Sequence, residues 1–479
     1  MQWNRKPFRR FSANTGWRRG GKMVTSQRMF TTKWLAVLSL GLLIAGTATA
    51  AGLKPVALRC EYRVNPQGID EAQPRLTWRV ESSKRGQWQA AYQILVASSA
   101  AQLAKNSGDL WDSGKISRAD TVNIAYAGRP LNSREQCFWK VRTWDQDGKA
   151  KWSEPAQWSM GLLQPGDWSA DYISFHDDSP VWKDTEKLFL PPAHQFRKEF
   201  SAAKKIRRAT LYATALGIYD FYLNGHRVGD AVFAPGWTDY HQRAYYNTYD
   251  VTPLVRRGGN ALGAWVADGW YAGYIGFGLL TGIGTEHVGR DTYGKTPALM
   301  AQLEIEYTDG SREIIPTDKS WKVTGDGPVR EADFLMGEFY DARKETPGWA
   351  KPNFDDAKWQ PVILASENGS APATFYEYQN PTNPAAGPKI EGHPVDLGFK
   401  RPPKLEAFPG VPVRATQELK PVAITSPTNG VYIFNLGQNF AGVARLRVKG
   451  PAGTKIQLRY GEMLYPDGRL MTENLRKAR

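Results

Sequence analysis

Residues 137–144, Cys137-Phe138-Trp139-Lys140-Val141-Arg142-Thr143-Trp144, alternate between two faces, with Cys137, Trp139 and Val141 on one of them. A period of two fits a pleated strand and no helix. Arg75-Leu76-Thr77-Trp78-Arg79-Val80 repeats the pattern, and Ala91-Tyr92-Gln93-Ile94-Leu95-Val96 does so less strictly. Between such runs stand turn signals: Asn65-Pro66, Asp112-Ser113-Gly114, Gly128-Arg129-Pro130 and Asp147-Gly148. About seven short strands in about 110 residues predict a fibronectin type III-like or Ig-like sandwich over 53–163. The expected class is all-β, built of tandem β-sandwiches. Frequent Gly (46), Pro (31) and Trp (18) among 479 residues fit many short strands joined by turns.

The next unit is expected over 167–366. Ala209 to Tyr219 alternates small and large side chains. Asp220-Phe221-Tyr222-Leu223-Asn224-Gly225-His226-Arg227-Val228 reads as strand, Asn-Gly turn and strand, a strong hairpin signal. Pro297 to Thr308 is another alternating strand, closed by Asp309-Gly310. The pattern predicts a jelly-roll sandwich. Seven glycines from Gly273 to Gly294 mark a long loop. The loop lacks a phosphate-cradle spacing, which excludes a nucleotide site. Residues 367–394 read as a linker, with Asn380-Pro381-Thr382-Asn383-Pro384 at its centre. Strands are expected again at Val411–Ala415, Val431–Phe434, Ala444–Val448 and Lys455–Tyr460, as the start of a third sandwich over 395–479.

Residues 1–50 have the anatomy of a secretory signal. A basic stretch ends at Lys33, an apolar run covers Trp34 to Ala45, and Ala48-Thr49-Ala50 follows as a cleavage site. Export to the periplasm or the extracellular space is expected, with no membrane span after removal of the signal; a retained anchor is the alternative. Nine basic and no acidic residues lie in this leader. They take nine of the net +15 charges and leave +6 on the rest. The excess therefore does not argue for a nucleic-acid partner. Cys60 and Cys137 could close a long loop, worth about 4–5 kcal/mol; two buried free thiols are the other reading.

Self-sufficient catalytic patterns are absent from the sequence. The six histidines fall in no H-E-x-x-H, and no G-x-S-x-G occurs. No catalytic residue is assigned. Three aromatic and acidic stretches remain: Ala234-Pro235-Gly236-Trp237-Thr238-Asp239-Tyr240, Ala267-Asp268-Gly269-Trp270-Tyr271-Ala272-Gly273 and Gly337-Glu338-Phe339-Tyr340-Asp341-Ala342-Arg343. A sugar offers an apolar ring face and a rim of hydroxyls, which rings and carboxamide or carboxylate groups bind together. Candidate substrate-binding residues are Asn224, Trp237, Asp239, Asp268, Trp270, Tyr271 and Asp341. Calcium is an alternative use of such loop carboxylates, but no EF-hand spacing assigns its ligands; solvated loop acids are the simpler reading.

At these residues the chain resembles the glycoside hydrolases of family 78, the bacterial α-L-rhamnosidases. Leu58-Arg59-Cys60-Glu61-Tyr62 with Asn65-Pro66-Gln67-Gly68-Ile69-Asp70 looks like the opening of their first sandwich. Leu223 to Asp230 with Ala234 to Tyr240 is similar to the heart of their N-terminal jelly roll. Tyr432 to Gly442 with Arg459-Tyr460-Gly461-Glu462 resembles the start of their concanavalin-like domain. The resemblance implies hydrolysis of terminal α-L-rhamnose from glycosides or polysaccharides, with inversion, on an (α/α)6 barrel that follows these domains. The chain is expected to stop before that barrel and to be inactive alone; a non-catalytic secreted rhamnose-binding protein is the alternative. Cys137 stands where the family more usually has Tyr, which leaves the disulfide open.

Overall fold

A computed structural model describes residues 52–181, 189–275, 284–285, 289–376 and 392–475. The segment expected as a secretory leader, the linker centre and half of the glycine-rich loop lie outside the described residues.

The first sandwich packs two antiparallel sheets. One joins Lys54–Cys60, Arg75–Glu81 and Ile124–Ala125; the other is built around Gln89–Ala97 and Gln136–Asp145. In Gln136–Asp145 every second residue is buried, so the face holding Cys137, Trp139 and Val141 is the inward one, as expected. These side chains meet Trp78, Tyr92, Ile94 and Trp158 in one core. The buried Trp78 indole donates to Gln89 Oε1 at 3.0 Å, which satisfies its one polar group. On the outer face Arg142 lies 4.9 Å over the Trp144 ring. Cys60 and Cys137 are both buried free thiols. Burial pushes both thiols well above their usual pKa. They pack as small apolar residues.

The second sandwich faces a six-stranded sheet against a seven-stranded one. Gly258–Ala267 and His194–Ala202 run antiparallel at the centre of the first; Ala298–Tyr307 and Ile206–Leu216 do so in the second. Phe196, Phe221, Leu211, Leu303 and Trp321 fill the space between them. The Asn-Gly hairpin forms as expected. Leu223 pairs with His226, and Asn224 and Gly225 take φ of 54° and 81°, the two positive values of a type I′ turn.

The run 209–219 departs from the single strand its alternation predicts. It breaks at Gly217, where the chain passes from one sheet to the other. Gly217 has φ 130°, and a Cβ there would sit 2.4 Å from the Ala267 carbonyl oxygen. Only glycine allows this close corner. At the ends of the expected linker, Pro372–Tyr376 forms a strand that pairs with Gly392–Asp396. Beyond it, Leu405–Ala407, at the start of the expected third sandwich, adds in parallel to Ala244–Asp250 of the second.

Among the described residues of 411–475, one ladder forms, between Ala423–Thr425 and Ile433–Asn435. The strands expected at Ala444–Val448 and Lys455–Tyr460 are not made, and their apolar residues are exposed, Val443 beside them at 86%. Val411–Ala415 is also no strand; its Val413 carbonyl accepts a bond from Val232 N at 2.8 Å. An alternating strand is stabilised by a covered face and a paired edge. Neither is supplied to these segments by the described residues.

Candidate carbohydrate-binding surface

The ring-bearing segment 233–240 leaves the edge of the six-stranded sheet through a tight path. Ala234 O accepts from Tyr219 N at 2.8 Å, and the Ala234–Pro235 peptide is cis. Phe233 sits at φ 59°, a left-handed conformation that is unusual for a bulky residue. Such outliers cluster at binding sites. Gly236 has φ 110°, and a Cβ there would lie 2.6 Å from the Phe408 ring. The turn therefore presents Trp237 to solvent with 54% of its surface exposed.

A helical turn, Gly269–Ala272, carries Trp270 to meet it. The two indoles are parallel within 6°, with centroids 6.3 Å apart. Phe334 lies 5.1 Å from Trp270, and Phe233 approaches the same ring edge-on at 5.9 Å. Phe233 and Phe334 are themselves more than one-third exposed. Tyr293 packs edge-on against Tyr240, with ring centroids 5.1 Å apart. Four rings thus form one open apolar surface with polar groups at its margin.

Asp239 stands at that margin. Its carboxylate accepts from His241 N at 3.0 Å and Gln242 Nε2 at 2.9 Å, and its side chain is 44% exposed. Tyr271 is buried behind the surface, with Tyr240 edge-on to it at 5.4 Å. Asp268 is buried beneath the helical turn. Arg290 Nη2 lies 2.7 Å from Asp268 Oδ2, and Arg290 Nε lies 3.1 Å from Asp291 Oδ1. One guanidinium thus faces two buried carboxylates. Burial, reinforced by Asp291, Asp333 and Asp177 against Arg290, pushes Asp268 up to about 7. Burial raises Asp291 and Asp333 as well. Asp333 accepts from the backbone N–H groups of Tyr274, Leu335 and Met336, which anchors the segment bearing Phe334.

Of the sequence candidates, Trp237, Asp239 and Trp270 come together at the surface, and Asp268 and Tyr271 support it from below. Asn224 and Asp341 belong elsewhere. Asn224 donates to Leu254 O and Asn260 Oδ1 and accepts from Ala261 N. Its amide is used up in holding the hairpin. Asp341 caps a single 3-10 turn and binds Arg343 through both oxygens, which hold it at about 2. Phe233, Phe334, Tyr293 and Arg290 escaped the sequence reading. Their one local signal is the ring or charge itself, and their meeting is a tertiary event. Among the described residues, no group of three or more His, Cys, Asp or Glu is placed to hold a metal ion.

The profile of the α-L-rhamnosidase N-terminal domain matches residues 204–379, which contain all these rings. That of the Rha78A-like N-terminal immunoglobulin domain matches 55–164, and that of the bacterial α-L-rhamnosidase concanavalin-like domain matches 425–479. The chain belongs to the family 78 α-L-rhamnosidases and represents their N-terminal region. An α-L-rhamnosidase of Streptomyces avermitilis is 33% identical over 89% of this chain and 53% of its own length. One from Alteromonas sp. (strain LOR) is 34% identical over 93% of this chain and 44% of its own. The chain thus spans about half the length of these relatives. Among solved structures, the Streptomyces avermitilis α-L-rhamnosidase complexed with L-rhamnose aligns with a TM-score of 0.72 at 32% identity, over 89% of this chain and 53% of that one. The native enzyme from Aspergillus terreus aligns at 0.71 and 31% identity, over 89% and 43%.

Proposed function

We propose that this chain is the sugar-facing β-region of an exported α-L-rhamnosidase that removes terminal α-L-rhamnose from glycosides or polysaccharides with inversion. The parallel Trp237–Trp270 pair, Trp237 exposed and Trp270 half-buried, carries the reading. An apolar sugar face stacks on such rings, while Asp239 at the margin bonds hydroxyls. An open ring surface on a soluble fold is itself a mark of a binding site.

Inverting hydrolysis needs an acid and a base carboxylate about 6.5–9.5 Å apart with water between them. Two carboxylates, Asp268 and Asp291, lie buried beneath this surface. Both are bound to Arg290, which suits them to support rather than catalysis. The role of these domains is therefore substrate placement. Secretion rests on the leader of residues 1–50.

Calorimetric titration of the chain with methyl α-L-rhamnopyranoside tests the reading. Trp237→Ala is expected to weaken binding about tenfold, equivalent to 1.4 kcal/mol. Unchanged affinity in that variant rejects the ring surface as the site.

A further inference from the structure

Trp270 faces the ring surface, but its neighbour Tyr271 lines a separate cavity of about 160 Å3. None of the four surface rings takes part in it. Its walls include Asp177, Lys295, Thr296, Asn368 and Phe399. Phe399 packs on Tyr172 at 5.6 Å and gives, with Tyr271, an apolar side. The opposite chemistry is polar. Asp177 accepts from Thr296 Oγ1 at 2.7 Å and lies 3.4 Å from the Lys295 ammonium. Lys295 Nζ also donates to the Asp177 carbonyl at 3.2 Å.

Asn368 is the unspent group. Its Nδ2 makes a long 3.3 Å bond to Ser174 Oγ, and its Oδ1 is buried without a hydrogen-bond partner among the described residues. A buried amide oxygen left so costs about 1–3 kcal/mol, and an orphan of this kind calls for a function. The terminal torsion of Asn is broad, so the amide can turn to the cavity and give up only that long bond.

Size and charge select the occupant. The volume lies below the roughly 300–1,000 Å3 of sites for larger ligands, which suits a single ring. Lys295 is already neutralised by Asp177, and Asp178 also lines the cavity, so an anion gains nothing. A divalent cation would meet the Lys295 ammonium beside the one buried carboxylate. A neutral polyhydroxylated ring fits both walls, because a hydroxyl donates and accepts. We propose that this cavity is a second sugar site, which holds one neutral pyranose against Phe399 and Tyr271 with its hydroxyls on Asn368 and Lys295. The site is independent of the Trp237–Trp270 reading.

The test titrates the full chain with methyl α-L-rhamnopyranoside and, separately, methyl α-D-glucopyranoside, followed by saturation-transfer NMR to millimolar sugar. At least one sugar is expected to show saturable binding that survives Trp237→Ala. That binding should weaken at least fivefold in Asn368→Ala and vanish in Ser370→Trp, which fills the cavity from its exposed rim. If Asn368→Ala does not fold, Ser370→Trp decides. Binding untouched by both cavity variants, or no saturable binding in the wild-type and Trp237→Ala chains, overturns the proposal. Binding lost in Trp237→Ala alone keeps the ring surface and removes the cavity.

Discussion

Arg134 of the first sandwich holds Glu304 of the second: its Nε lies 2.9 and 2.7 Å from the two carboxylate oxygens. The same guanidinium reaches Asp167 Oδ1 at 2.6 Å, and Gln302 Nε2 donates to Glu304 Oε1. Arg134 is mostly shielded, and Glu304 lies on the central strand Ala298–Tyr307. The pair therefore sets how the two sandwiches meet, together with the Tyr246 hydroxyl, which accepts from Leu162 N at 3.0 Å. Removing one partner leaves a buried charge uncompensated. Arg134→Met is expected to destabilise the junction by about 3–5 kcal/mol. Adding Glu304→Gln should recover part of that loss. Urea unfolding of both variants reads the outcome.

Asp268 gives a pH dependence of definite sign. Burial raises it to about 7, above the ordinary value near 3.9. The folded chain therefore holds this proton more tightly than the unfolded one. The stability so gained is complete below about 4 and is lost as pH rises through about 7. Asp268→Asn removes this loss. The gap in urea midpoint between wild type and variant should move in the variant's favour from pH 4 to pH 8.

His194 acts in the opposite direction. It stacks on Phe175 at 3.5 Å within 9°, and burial lowers it to about 4. Its neutral form favours folding. That stability is present above about 6.5 and is lost as pH falls toward 4. His194→Phe should flatten the acid limb between pH 6.5 and 4, measured by the same denaturant titration. The two windows overlap, so the single variants reveal slopes that largely cancel in the wild type.

Gly236→Ala tests the placement of Trp237. The new Cβ meets Phe408 at 2.6 Å from a backbone at φ 110°. A cost of about 1–3 kcal/mol is expected for that conformation. Intrinsic Trp fluorescence should shift, and affinity for methyl α-L-rhamnopyranoside should fall.

The chain by itself should not hydrolyse an aryl α-L-rhamnoside, because Asp268 and Asp291 are locked on Arg290. Release of the aryl group is the readout. Turnover above the uncatalysed rate, lost in Asp268→Asn, contradicts the supporting role assigned to these carboxylates.

The amino-acid sequence determined what is local. Alternation in 136–145 specified which side chains enter the first core, because successive strand residues point to opposite faces. Asn224-Gly225 specified a two-residue hairpin, because both positions tolerate positive φ. The class of fold and the family followed from such segments in order. Tertiary structure decided which turns and rings share a surface. Trp237 and Trp270 meet only because Ile218–Leu223 pairs with Gly258–Ala267 and brings their flanking turns side by side. The same order of strands placed Asn224 and Asp341 away from that surface, although their local sequences looked equally suited to a sugar. Gly217 turned an unbroken alternating run into a corner, since the Ala267 carbonyl leaves no room for a side chain. The alternating segments after 440 show the limit from the other side: periodicity offers a face, and a covered face is what makes a strand.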